Sequence, residues 1–184
     1  MRRVALAWTL VMFTAAAATA QSNGFVTIAP EPSAHAWWLR AQFHPFETQV
    51  RGIPLRQLRS IWCKASEFRK DLFPPELVGD IEQNEASFSI NGDFDGSKVG
   101  QTALVGVYET CSGARGSFLL ILARPPGGSP AVRLLHEFPG EGFGAVAAGS
   151  GATVAVFHCM ECDNVTRFKW SKAKKRFLRL PAEF

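Results

Sequence analysis

Three groups of residues in this chain have types and spacings that could do chemistry. The first is Asn91-Gly92-Asp93-Phe94-Asp95-Gly96-Ser97, where alternate oxygen-bearing side chains stand among glycines that permit a tight backbone turn. Asp93, Asp95 and Ser97 could offer hard oxygen ligands to calcium, or could accept backbone N–H groups and fix the turn without a metal. The second is His158-Cys159-Met160-Glu161-Cys162, which reads as a redox dithiol, as His158, Cys159 and Cys162 around zinc, or as a cysteine-stapled turn. The third is the basic run containing Arg167, Lys169, Lys172, Lys174, Lys175 and Arg176. It could face an anion such as a lipid headgroup or an acidic glycan, or it could be a solvated hairpin whose lysines discourage edge pairing.

Charge and context rank these readings. Beyond Asp93 and Asp95 the turn offers the neutral Ser97 and Gln101, and Lys98 adds a positive charge inside it, which favours a metal-free turn. A reactive Cys-x-x-Cys needs a helix N-terminus to hold its thiolate, but the flanks Val154–Phe157 and Val165–Phe168 read as strands. One cysteine pair with His158 is also a ligand short of a structural zinc site unless Cys63 or Cys111 joins it. No histidine follows Cys162, so this is not a haem attachment sequence. Cys63, Cys111, Cys159 and Cys162 form an even set for which disulfides are expected, with three pairings open.

The acidic turn resembles the loop of FG-GAP or VCBS-type β-propeller repeats, in which a Gly-Asp-Phe-Asp run precedes a strand. The resemblance extends in outline over Ala86 to Leu180, ending in Phe168-Lys169-Trp170-Ser171, a polar turn and Lys175-Arg176-Phe177. It implies a short antiparallel meander after the turn. A single copy cannot close a propeller, and no second acidic turn occurs.

The elements that must position these groups follow from patterning. Met1–Ala20 carries Arg2-Arg3, an apolar run and Ala18-Thr19-Ala20, the pattern of a cleaved export signal too short to span a bilayer. Its removal lowers the formal charge from +4 to +2, because it takes Arg2 and Arg3 with it, and this excludes a globally basic nucleic-acid binder. Residues 21–53 read as an extended lead-in, and 54–184 as a single α+β domain. Leu55, Leu58, Ile61, Trp62, Ala65, Phe68 and Leu72 fall at helical spacing, with Pro54 at the start and Pro74-Pro75 as the stop. Cys63 would lie opposite that helix's apolar stripe, where a tether to another element is expected. Strands are predicted at Ala86–Ile90, Thr102–Thr110, Ser117–Ala123, Ala131–Glu137, Thr153–Cys159, Val165–Trp170 and Arg176–Leu180. Together they predict one antiparallel meander of about six to seven strands with the helix packed on it. Phe118-Leu119-Leu120-Ile121-Leu122, apolar on both faces, belongs at its centre. The Gly-rich stretches Pro125–Pro130 and Pro139–Gly151 are read as loops.

Catalytic signatures are missing. His136-Glu137 lacks the second histidine of a zinc protease, and no Gly-x-Ser-x-Gly elbow occurs. His35, His44 and His158 are read as structural, and Asn164-Val165-Thr166 fits a glycosylation acceptor. These features predict a small exported module of the cell envelope, periplasmic or secreted, that binds or assists rather than catalyses. Its expected partner is an anionic envelope component or another envelope protein, not nucleic acid, and it needs no cofactor unless calcium or zinc is held as above. The alternative is an envelope thiol-disulfide or zinc protein built on Cys159 and Cys162.

Overall fold

The computed structural model describes residues 21–22, 24–29 and 36–181; the expected export signal and His35 lie outside them. In chain order the elements are β1 (Gln21–Ser22), β2 (Val26–Ile28), β3 (Ala41–Phe43), β4 (Gln49–Val50), β5 (Ile53–Pro54), α1 (Leu55–Leu58), β6 (Trp62–Glu67) and α2 (Pro75–Gln83). They continue with β7 (Ser89–Gly92), β8 (Gln101–Thr110), β9 (Arg115–Ala123), β10 (Ala131–Pro139), β11 (Ala145–Gly149), β12 (Thr153–Phe157), β13 (Val165–Ser171) and β14 (Arg176–Arg179).

The described strands sort into four antiparallel sheets, not one meander. The central sheet runs β10-β9-β8-β6, with β7 pairing the first half of β8 and β6 its second half. A second sheet runs β11-β12-β13-β14, β1-β2-β3 form a third, and β4-β5 a two-stranded fourth. Pro139 ends β10, and the glycines after it let the chain leave the central sheet and begin another. β11 was hidden in that stretch because Ala145-Val146-Ala147-Ala148-Gly149 carries little strand signal.

The helix expected over Pro54–Leu72 is not formed. Leu55–Leu58 makes one turn, Arg59 turns extended (φ −148°, ψ 124°), and Trp62–Glu67 is a strand. The helical spacing is produced by a β-bulge: Trp62 opposes Thr110 and Ala65 opposes Tyr108, with Cys63 as the extra residue. One inserted residue puts positions three apart on one face, which looks like a helical repeat. Pro74-Pro75, read as a stop, is instead the start of α2, with Pro75 in the first helical turn, where a missing N–H costs nothing.

β9 is buried on both faces and lies between β8 and β10. One face, with Phe118, Leu120 and Leu122, packs with Trp62, Val50, Ile53, Leu55 and Leu58. The other, with Leu119 and Ile121, joins a larger core shared with the second sheet and an aromatic cluster. Phe68 is central there, its ring 4.9 Å from Phe43, 5.5 Å from Phe88 and 5.9 Å from Phe25. Residues 21–53 thus supply core side chains, including Phe25, Trp37 and Phe43.

Close packing fixes Gly106 in β8. A Cβ there would meet the Ser66 carbonyl oxygen and the Phe118 ring, 2.7 Å from its Cζ. Gly106→Ala is expected to cost about 2–3 kcal/mol through forced repacking, read as a lower midpoint in chemical denaturation at unchanged slope.

Candidate functional site

The acidic turn is closed from inside. Asp93 Oδ2 accepts the Lys98 N–H at 3.0 Å, Asp95 Oδ1 accepts the Ser97 N–H at 3.0 Å, and Phe94 N–H donates to Gln101 Oε1 at 3.1 Å. Gly96 and Lys98 take the left-handed conformation that lets the chain curl around these acceptors. The buried carboxylate of Asp95 also receives Arg133 from β10, through Nε at 3.0 Å and through Nη2. Burial pushes the Asp95 carboxyl up, but hydrogen bonds from Ser97 and Arg133 outweigh it and hold the group at about 2. A guanidinium thus stands against the carboxylate that would hold a cation, and no cluster of three His, Cys, Asp or Glu residues suited to a metal occurs among the described residues. This donor set does not fit calcium.

All four cysteines are paired. Cys63, at the β6 bulge, joins Cys111 at the end of β8, so the expected tether exists on a strand and not on a helix. Cys159 joins Cys162 across the turn from β12 to β13, which removes both as thiolate ligands for zinc in this state. Two disulfides fit an oxidising compartment. No helix among the described residues is long and apolar enough to cross a membrane.

In β13 the side chains alternate as the sequence suggests: Thr166 and Phe168 are buried, while Lys169 is exposed and Arg167 half-exposed. Most cations elsewhere are paired, as in Arg51–Glu67, Arg59–Glu137, Lys64–Glu109, Arg69–Glu47 and Arg115–Glu109. Lys169, Lys172, Lys174, Lys175 and Arg176 have no such partner among the described residues.

Another group of polar side chains lines an open cleft of about 420 Å³ where the two large sheets meet. β9 contributes Ser117, the end of β12 leads to His158 and Asn164, β13 supplies Thr166 and β14 supplies Arg179; Trp38 and the Pro139–Phe143 loop form the rim. His158 Nε2 lies 3.0 Å from Thr166 Oγ1, its backbone N–H bonds Asn164 O at 3.1 Å, and its ring meets Phe138 edge-on at 4.7 Å. Burial, then Arg179 and His136, hold His158 below the usual histidine range. His136, wedged between Phe138 and Phe168, is lowered by burial and Arg179, with Glu137 opposing. Arg179 itself pairs with no carboxylate among the described residues.

Among the described residues, this cleft brings together no carboxylate–histidine–nucleophile relay. Glu141 lines it, but accepts the Phe43 N–H and sits 3.8 Å from Arg115 Nη1. Among the described residues no carboxylate orients His158, and its hydroxyl partner there belongs to the buried Thr166. His44 is turned away, between Thr27 Oγ1 at 3.1 Å and Arg115 at 3.4 Å.

Sequence reasoning missed Ser117 and gave Arg179 no role in a site, and it weighed His136 only as half of a zinc-protease motif. One signal was present: Arg179 follows Phe177 by two residues, so the alternation places it on the same side of β14, where Phe177 is buried and Arg179 is exposed at the mouth of the cleft. Comparison with family models, with curated proteins and with solved structures finds no match for this chain.

Proposed function

We propose that this protein is a non-enzymatic, exported binding module of the cell envelope that holds a small organic anion, a carboxylate or a phosphate, in the sheet-junction cleft. The observation that carries the reading is Arg179: a cation with no carboxylate partner among the described residues, at a cleft that also offers Ser117, Asn164 and Thr166 as hydrogen-bonding groups. Trp38 and Phe143 supply apolar wall beside them. The lack of an oriented base or nucleophile supports binding over turnover.

Isothermal titration of the chain from Gln21 onward with glucuronate and with inorganic phosphate tests this. At least one is expected to bind, with Arg179→Ala weakening it at least tenfold and Arg179→Lys less, because loss of the single cation removes a charge-assisted contact. Affinity is expected to rise only as pH falls below the ordinary histidine range, since His158, whose protonation burial disfavours, then adds positive charge to the cleft. Binding of neither probe, or equal binding by Arg179→Ala, contradicts the reading.

A second reading rests on the unequal burial of the Cys159–Cys162 pair: Cys159 is 4% exposed, whereas Cys162 is exposed. An incoming dithiol could attack Cys162 and release Cys159 as thiolate, becoming a disulfide itself as the second thiol displaces Cys162. Intact mass with graded dithiothreitol separates the two readings. Reduction of this pair under mild conditions that leave Cys63–Cys111 intact supports exchange, and joint reduction only on unfolding removes it.

A further inference from the structure

We propose that the β13–β14 hairpin docks the protein onto a bilayer surface bearing anionic phospholipid headgroups, independently of the cleft. Charge is unevenly distributed along the chain: from Gly142 to Phe184 there are seven Lys and Arg residues against three Asp and Glu. The excess gathers on one feature. β12 ends its pairing opposite Lys169, so the Trp170–Phe177 and Ser171–Arg176 pairs and the 172–175 turn run on past β12. The turn is ordered, with Lys174 N–H donating to Ser171 Oγ at 3.2 Å and Lys175 in the left-handed conformation. Lys172, Lys174 and Lys175 are exposed and lack carboxylate partners among the described residues.

The chemistry of the hairpin selects among anions. Binding of single-stranded nucleic acid or of sugar rings relies on exposed aromatic faces. Here Trp170 is taken up by Phe177, 5.1 Å away, and by the Arg133 guanidinium, 5.1 Å above its ring, while Phe168 and Phe177 are buried. What remains is exposed lysine charge on a turn that runs past the neighbouring strand, which suits a diffuse layer of negative headgroups better than a shaped ligand. No apolar side chain larger than Ala173 lies in the turn, so attachment is electrostatic and reversible, without insertion.

Co-sedimentation with phosphatidylcholine vesicles, with and without a phosphatidylglycerol fraction, provides the test, using the protein that lacks Met1–Ala20. Binding is expected only with phosphatidylglycerol, and it is expected to fade as added salt shortens the screening length. Changing Lys172, Lys174 and Lys175 together to glutamine is expected to reduce partitioning about a hundredfold, on the scale of one charge's contribution per lysine. Changing all three to arginine is expected to preserve it. The three side chains lie in an exposed turn, and an unchanged melting curve shows that loss of binding is not loss of fold. Equal binding to neutral vesicles, undiminished binding by the glutamine variant, or capture by soluble polygalacturonate in place of vesicles would each overturn the proposal.

Discussion

Replacing Cys63 and Cys111 together with alanine is expected to lower the unfolding free energy by about 3–4 kcal/mol. The bond closes a 48-residue separation in sequence, and the loss of loop entropy in the unfolded chain grows with the logarithm of that length. The same change at Cys159 and Cys162, only three residues apart, is expected to cost about 1–2 kcal/mol. Local architecture sharpens the contrast. Cys63 is the bulged residue of β6, an edge strand that shares one side of β8 with β7, and the disulfide pins it where the ladder is interrupted. Denaturant melts of the two double variants, each compared with the parent, give the difference directly. Equal losses would contradict the assignment of Cys63–Cys111 as the main covalent brace.

The second large effect concerns the acidic turn. Asp95 is buried and ionised because Arg133 and the Ser97 N–H hold it, so Arg133→Ala leaves a carboxylate without its counter-charge. Removing one partner of a fully buried pair costs about 3–5 kcal/mol; Arg133 is about one-third exposed, and the expected loss is therefore nearer 2–3 kcal/mol. Asp95→Asn combined with Arg133→Met is expected to recover part of that loss, because the uncompensated charge is then gone and the two changes do not add. The pH dependence has a definite sign. With the folded-state pKa depressed from 3.8 to about 2, the unfolded chain takes up the proton more readily. The stabilisation, about 2 kcal/mol, is complete above roughly pH 4 and is lost as pH falls toward 2. Melts between pH 5 and 2 should show a smaller loss in the Asp95→Asn variant than in the parent, since other carboxylates such as Glu109, held below the usual range by Arg115, still titrate there. Added calcium should leave the parent's melting temperature unchanged, and an increase would contradict the closed turn.

The parts of the fold that could be read from the sequence are those in which local pattern and tertiary environment agree. β8, β9, β12 and β13 keep a strict alternation or an unbroken apolar run, and each appears within a few residues of its expected position. Where a bulge breaks the period, the pattern misleads: Trp62 and Ala65 share a face because Cys63 is looped out, and this produced the false helix. The division into separate sheets depends on Pro139 and the glycines beyond it, which signal a break but not its destination. The Asp95–Arg133 pair joins residues 38 apart, so the sequence could say only that the turn was poor in ligands, not which cation would pair with Asp95. The cleft is still more distributed, drawing single residues from β9, β13, β14 and the β12–β13 turn. Only the shared side of Phe177 and Arg179 on β14 left a trace of it.

The most direct test of the cleft as a binding site is an amide NMR titration of the chain from Gln21 onward with glucuronate and phosphate. The account predicts saturable shifts centred on Ser117, His158, Asn164, Thr166 and Arg179, absent in Arg179→Ala. Shifts confined to the Lys172–Arg176 turn, or no saturable shift at all, would contradict it.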